Sequence, residues 1–314
     1  MKATIRKTLG VVLAALFVAS PPAPAATAEG ERAALRFPQE GHFSRALHVG
    51  ESGVLDLSNV SGNITIRGAP GGEIQIEAQK IGNPSSVDIE VNQTGDRVRV
   101  ETEYREGTNQ RVSVDFSITV PYGTAVSAKS VSGDVEVHDV RGETHAESVS
   151  GDVTLTQVER LLVAKSVSGD VSVASATSQA EPEIASVSGD VVVSELGAPK
   201  LTVSSVSGDV RLTGTRCERA SVESVSGTIH YSGTFAAGGR YEFRSHSGDV
   251  LIQLANDIGF ELAAETFSGE IESAFPVTPS GGRVSKGEVH GVHGDGSVLI
   301  EASTFSGDVT VAKE

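Results

Sequence analysis

The 314-residue chain has no tryptophan, one methionine and one cysteine, and aromatic residues make up only 4% of it. A lone cysteine, Cys217, excludes an internal disulfide. It reads as a small buried hydrophobe, since no activating base lies near it in sequence. A single large core usually draws on aromatic bulk, so its scarcity, beside 35 glycines, points to many thin layers. Positive charge is scarce as well: 25 Lys and Arg against 41 Asp and Glu give a formal net charge of −16. That balance excludes nucleic acid and anionic lipid as partners, because both are held by basic side chains that neutralise phosphate.

A long hydrophobic run is also missing. The apolar stretch Leu9 to Ala19 is about half of the ~20 residues a membrane-spanning helix needs. It follows Lys2, Arg6 and Lys7 and precedes a Pro/Ala-rich segment ending Ala26-Thr27-Ala28. Charge, short apolar core and small-residue site in that order predict a signal peptide over residues 1–28. The mature chain is then expected in the periplasm, at the cell surface or outside the cell, with no transmembrane segment. Cleavage after Ala28 removes three positive charges and no acid, taking −16 to −19.

What the chain has in abundance is one motif. Ser-Val-Ser-Gly-Asp-Val stands at Ser130–Val135, Ser148–Val153, Ser166–Val171, Ser186–Val191 and Ser205–Val210. Variants begin at Ser224, Ser245, Thr266 and Thr304, and an isolated early copy runs from Asn59 to Ile64. The glycines Gly133, Gly151, Gly169, Gly189, Gly208, Gly227, Gly248 and Gly269 step by 18, 18, 20, 19, 19, 21 and 21 residues. Gly307 follows after 38, which reads as two steps of 19 with a degenerate copy between. A period near 19 is too short for a propeller blade and fits one coil of a solenoid.

Counting from each Gly, apolar residues occupy +2 and +4 (Val135/Val137, Val153/Leu155, Val171/Val173). The −2 residues Val131, Val149, Val167, Val187 and Val206 share that parity and are expected on the same, inward face. Upstream, −5 and −7 are apolar with opposite parity (Leu162/Ala164, Leu201/Val203), so a corner is expected near −3. The fold predicted is all-β: a single-stranded β-solenoid (β-helix) of ~19-residue coils over 128–314, its handedness right by the general crossover preference. Residues 29–127 contain alternating stretches at Gly53–Leu57, Ile74–Ala78, Val87–Val91, Arg97–Glu101 and Val112–Val120, predicting a β-sandwich-like N-terminal cap.

With an exported N-terminus, the strand Phe116-Ser-Ile-Thr-Val-Pro121 and serial Val-Ser-Gly-Asp-Val coils, residues 40–314 resemble the bacterial "putative adhesin" β-strand-repeat proteins, a domain of unknown function. The resemblance implies the fold and an envelope location and brings no catalytic residues.

Three residue sets invite chemistry. The +1 acids Asp134, Asp152, Asp170, Asp190 and Asp209 would stack about 4.8 Å apart and repel by about 1 kcal/mol per pair in water. Either each accepts turn N–H bonds, or calcium bridges the ladder; Thr228 interrupts it. The serines recur too regularly for a single nucleophile and read as a hydrogen-bonded ladder. His290, His293 and Asp295 lie close in a loop-rich segment and form a weak candidate for a transition metal, the alternative being a solvated loop. No catalytic residue and no cofactor is predicted. The expected function is a non-enzymatic envelope or surface protein that binds another envelope protein, a surface polysaccharide or its own kind, or serves as a scaffold. A polysaccharide-acting β-helix enzyme and an envelope signalling or stress-response accessory are the alternatives.

Overall fold

A computed structural model describes residues 41–105, 112–255, 258–280 and 287–314. The expected signal peptide lies outside the described residues. From Gln39 onward the chain is one compact unit, and nearly all of it is strand. The repeat builds a stack of parallel coils, with strand Glu143–Ser150 between Ala125–Ser132 and Arg160–Ser168, and Val153–Thr156 between Val135–His138 and Val171–Thr177. Motif residues align without slippage: Ser148 pairs with Ser130 and Ser166, and Ser150 with Ser132 and Ser168.

Each coil has three runs. The first ends at the Gly, the second covers +2 to about +5, and a short third starts at +7. The turn between second and third is a left-handed residue at +6, occupied by Asp139, Gln157, Ser175, Glu195 and Gly214 with φ between 52° and 62°. Inward residues of all three runs form one core. Val153, Leu155, Val158, Leu161 and Ala164 of one coil are all buried. At ~1.5–3 kcal/mol per buried aliphatic side chain, cohesion is spread evenly along the stack. The core widens after the two 21-residue steps begin, where Tyr231, Phe235, Tyr241 and Phe243 fill it with ring centroids 4.4–6.0 Å apart. Six of the fourteen aromatics, Tyr231, Phe235, Tyr241, Phe243, Phe260 and Phe267, are thus spent on the two longest coils.

The ends are built by interleaving. The early motif copy is a full coil, not an outlier: Val54–Ser61 lies between Arg97–Tyr104 and Ala125–Ser132, and Ile64–Ala69 between Ser113–Pro121 and Val135–His138. No seam therefore separates the described residues 41–105 and 112–127 from the repeat array. Around these coils the cap strands His42–His48, Glu73–Ile81 and Val87–Thr94 run antiparallel to their neighbours. At the other end the last coil, Val298–Ser306 with Val309–Lys313, inserts between the coil of Val250–Leu254 and that of Phe260–Ser268 with Ile271–Ser273. This corrects the reading of the 38-residue gap. No degenerate coil fills it among the described residues; instead Glu288–His293 returns antiparallel along Phe260–Ser268 and closes that end.

A second correction concerns the corner. The first run continues through −3 to −1, so Ser130, Ser148, Ser166, Ser186 and Ser205 point inward and are 3–5% exposed. Val131, Val149, Val167, Val187 and Val206, expected inside, are 45–51% exposed. The chain turns at the Gly, where the backbone reverses phase. At Gly208, φ is +146° and a Cβ would sit 2.2 Å from the carbonyl oxygen of Gly189 in the preceding coil. Both the angle and the approach exclude a side chain. Gly208→Ala should therefore cost about 3 kcal/mol or more from strain plus overpacking. Denaturant unfolding of the pair checks this, and a loss below about 1 kcal/mol would contradict the stacked geometry.

Candidate functional site: the serine-glycine-aspartate corner and the valine stripe

The corner interrupts the backbone ladder, and two side chains of the motif repair it. Gly151 N donates to Ser168 O at 3.1 Å and Val153 N to Asp170 O at 2.9 Å, which leaves the Gly carbonyl and the Asp N–H between them without ladder partners. The −3 hydroxyl supplies the first: Ser148 Oγ donates to Gly133 O at 3.0 Å, Ser166 Oγ to Gly151 O at 2.8 Å and Ser186 Oγ to Gly169 O at 2.8 Å. The +1 carboxylate supplies the second. Asp134 Oδ1 accepts from Asp152 N at 2.9 Å, Asp152 Oδ1 from Asp170 N, Asp170 Oδ1 from Asp190 N and Asp190 Oδ1 from Asp209 N, each at 2.8 Å.

The ladder extends past the perfect motifs. Asn63 N donates to Asp115 Oδ1 and Asp134 N to Asn63 Oδ1, while Asp249 and Asp308 accept from Asp308 N and Glu270 N. Asn59 takes the serine role, its Nδ2 donating to Gly62 O at 2.9 Å and Val114 O at 2.8 Å. At Thr228 the N–H still donates to Asp209 Oδ1 at 2.8 Å, but Thr228 offers no carboxylate to the next coil. The corner acids thus accept bonds from the neighbouring coil rather than from their own turn. That leaves one carboxylate oxygen of each toward solvent.

The metal trio expected from sequence is not assembled. His293 Nδ1 donates to the Pro276 carbonyl at 2.9 Å, and its ring rests against Phe260 and Phe275. Asp295 Oδ1 accepts from Ser297 N at 3.1 Å. His290 instead faces Glu288 at 3.2 Å, and with Glu265 these bring one donor atom each within 4.8 Å of one another. Among the described residues this surface group is where the donors lie close enough for a divalent cation. Cys217 lies in the third run of its coil, buried. Burial pushes its thiol up to about 11, against a smaller lowering by Tyr231, so it is neither thiolate nor nucleophile at neutral pH.

The turned-out −2 column was missed by sequence reasoning, because an apolar residue was taken for a core residue. It runs Val60, Val131, Val149, Val167, Val187, Val206, Val225, His246, Phe305, Phe267 along successive coils. The valines are 45–51% exposed, Phe305 50% and Phe267 79%. The rings stack as a continuation of the ladder, His246 on Phe305 at 5.2 Å and Phe305 on Phe267 at 4.8 Å. Between the valines and the −4 column lies a trough of about 790 Å³, floored by the buried serines. Its other wall carries Lys129 paired with Glu147 at 2.8 Å and Lys165 paired with Glu183 at 2.6 Å. Burial alone would raise the Glu147 carboxyl, but Lys129 and His145 hold it below its ordinary range. That pairing is therefore present above the carboxylate range and is lost as pH falls through the lowered value.

A family model matches residues 53–312, described as Toastrack DUF4097. The chain belongs to the Toastrack DUF4097 family. No curated protein matches it. Among solved structures it is similar to one described as a "putative adhesin" from Bacteroides fragilis, at 16% identity over 88% of this chain and 99% of the other, with TM-score 0.44. Another so described, from Parabacteroides distasonis, shares 11% identity over 87% and 97%, with TM-score 0.41. The family is the one the serial coils resemble, and its domain has no established function.

The corner chemistry makes a clean test. Asp170→Asn keeps the Oδ1 acceptor and removes one charge from the ladder, so the melting temperature should hold or rise slightly. Asp170→Ala orphans Asp190 N–H and should cost about 1 kcal/mol, or roughly 2–4 °C. Equal melting of both variants with the parent would show that the carboxylate is not a structural acceptor.

Proposed function

We propose that this is a non-enzymatic, exported binding or scaffold protein of the cell envelope, and that its contact surface is the valine stripe with its trough. The stripe itself carries the reading. Preference of strands for β-branched residues explains a Val at one exposed position. It does not explain why seven consecutive rungs avoid Thr, which is equally β-branched and already frequent in this chain. A continuous exposed apolar band marks a binding face.

Three observations support a role without catalysis. The repeated serines donate to carbonyls, the repeated acids accept from amides, and the thiol is buried and protonated. Ser148, Ser166, Ser186, Ser205 and Ser245 donate to a glycine carbonyl and Asp134, Asp152, Asp170, Asp190 and Asp209 accept from a backbone amide, while the Ser130 and Ser224 hydroxyls are buried without a hydrogen-bond partner. Export is supported by the leader-like order of residues 1–28, and among the described residues no helix is long and apolar enough to cross a membrane.

The test is capture from the envelope fraction of the source cells on immobilised residues 29–314, with Val149→Lys/Val167→Lys as the comparison. The exposed positions leave the core intact, so folding should be unchanged by circular dichroism. A component retained by the parent and lost from the variant, at least tenfold, is the expected result. Equal retention by both would remove the stripe from the binding surface. Turnover of any glycan in a panel, read as new reducing ends or unsaturated product, would contradict the non-enzymatic assignment.

A further inference from the structure

The stripe has a geometry that selects its occupant. Its side chains, nine apolar and His246, repeat once per coil, about 4.8 Å, and hold register over ten rungs. An extended peptide presents side chains on one face every ~6.6 Å, and a helix every ~5.4 Å, so either loses step within a few rungs. A second stripe of the same kind stays in step throughout. Building on the reading above, we propose that the occupant is a second copy of this chain, packed stripe against stripe with the two stacks parallel.

Charge decides between parallel and antiparallel. In a parallel pair related by a two-fold axis along the stack, each coil meets its own counterpart, and the −4 column of one copy faces the corner column of the other. Lys129 then faces Asp134, Lys165 faces Asp170, and Arg244 faces Asp249, each cation shared with the carboxylate it already pairs in its own copy, Glu147, Glu183, and Glu223 with Glu242. Where the −4 residue is the acidic Glu223, the corner position is Thr228 in place of Asp. The break in the acid ladder thus falls where an Asp would meet Glu223. Two like pairs stay: Glu147 with Asp152, where Lys129 and His145 neutralise Glu147 at 2.8 and 2.9 Å, and Glu265 with Glu270 at the far end. An antiparallel pair sets each column against itself: with all ten rungs overlapped Glu147 meets Arg244 and Lys165 meets Glu223, but the corner acids meet acids, Asp134 with Asp308, Asp152 with Asp249 and Asp190 with Asp209.

The size is sufficient for a weak, specific pair. Ten rungs make a band roughly 45 Å long, and the three columns span about 12 Å. Apposition buries on the order of 1,000 Å² in total, the low end for specific interfaces. Association should therefore be weak and not obligate.

Sedimentation equilibrium of residues 29–314, from about 1 μM to several hundred, reads this directly. The expected result is a monomer–dimer equilibrium that Val149→Asp/Val167→Asp weakens at least thirtyfold without shifting the unfolding midpoint. Lys165→Glu should weaken it severalfold, and Asp170→Asn less. Orientation is read by oxidising Val131→Cys and Val225→Cys separately, in a Cys217→Ser background. Each should cross-link to itself in a parallel pair. A chain monomeric over the whole range overturns the proposal, and the binding-module reading survives if envelope capture still depends on Val149 and Val167. A dimer that is indifferent to the stripe variants, or that fails to self-cross-link at both cysteines, overturns it as well.

Discussion

Everything in this fold depends on how closely one corner sits on the next. At each Gly the chain of one coil passes so near the carbonyl beneath that a Cβ has no room, about 2.2–2.3 Å at Gly133, Gly151 and Gly208. That approach turns the chain and keeps the runs on either side in register with the coil below. It also strands one carbonyl and one amide per coil, and stranded backbone groups are costly. The −3 hydroxyl and the +1 carboxylate satisfy both, each by reaching to the adjacent coil. The three fixed letters of the motif are thus a single device, in which Gly permits contact and Ser and Asp complete the hydrogen bonding. Because each rung bonds to its neighbour, the carboxylates can stand in a column despite their mutual repulsion.

The ends follow from the same requirement. A stack of coils exposes an unpaired edge at each end, and such edges recruit other chains. Here the first and last coils in sequence lie one layer inside, clamped between two others, and antiparallel strands such as Glu73–Ile81 and Glu288–His293 cover what lies beyond. Unravelling from the C-terminal strand, Val309–Lys313, must therefore pull it out from between two partners. The acidic surface adds a second guard, since net charge of one sign keeps such proteins apart. What the covered ends leave exposed is a face rather than an edge, the valine stripe among it.

The repeat period, the all-β class, the stacking and the structural glycines were all legible in the sequence, because each is written as exact spacing. Which residues of the motif face inward was not. Alternation shows that the phase slips once between −5 and +2, but it does not say at which residue. Assigning Val to the core and Ser to the surface put the slip at −3. The structure puts it at Gly, because a buried hydroxyl with a carbonyl partner is well satisfied and an apolar side chain outside costs little when it stacks on its own kind. The bend at +6 was hidden for a different reason. Of its occupants only Gly214 has the residue type that left-handed backbone favours. The interleaved ends were invisible, since a coil inserted out of sequence order leaves the same spacing as a missing one. The grouping of Glu265 with Glu288 and His290 depends on that same topology.

If corner carboxylates replace the missing ladder bonds, native-state hydrogen exchange at single-residue resolution will read it. The amides of Asp152, Asp170, Asp190, Asp209 and Thr228 each face a carboxylate oxygen of the coil below. Asp249 faces Thr228 and has no such acceptor. Slow exchange is expected at the first five and markedly faster exchange, by at least tenfold, at Asp249. Uniform protection of all six, or rapid exchange of all six at the rate of surface turns, would show that the carboxylate ladder does not hold the corners.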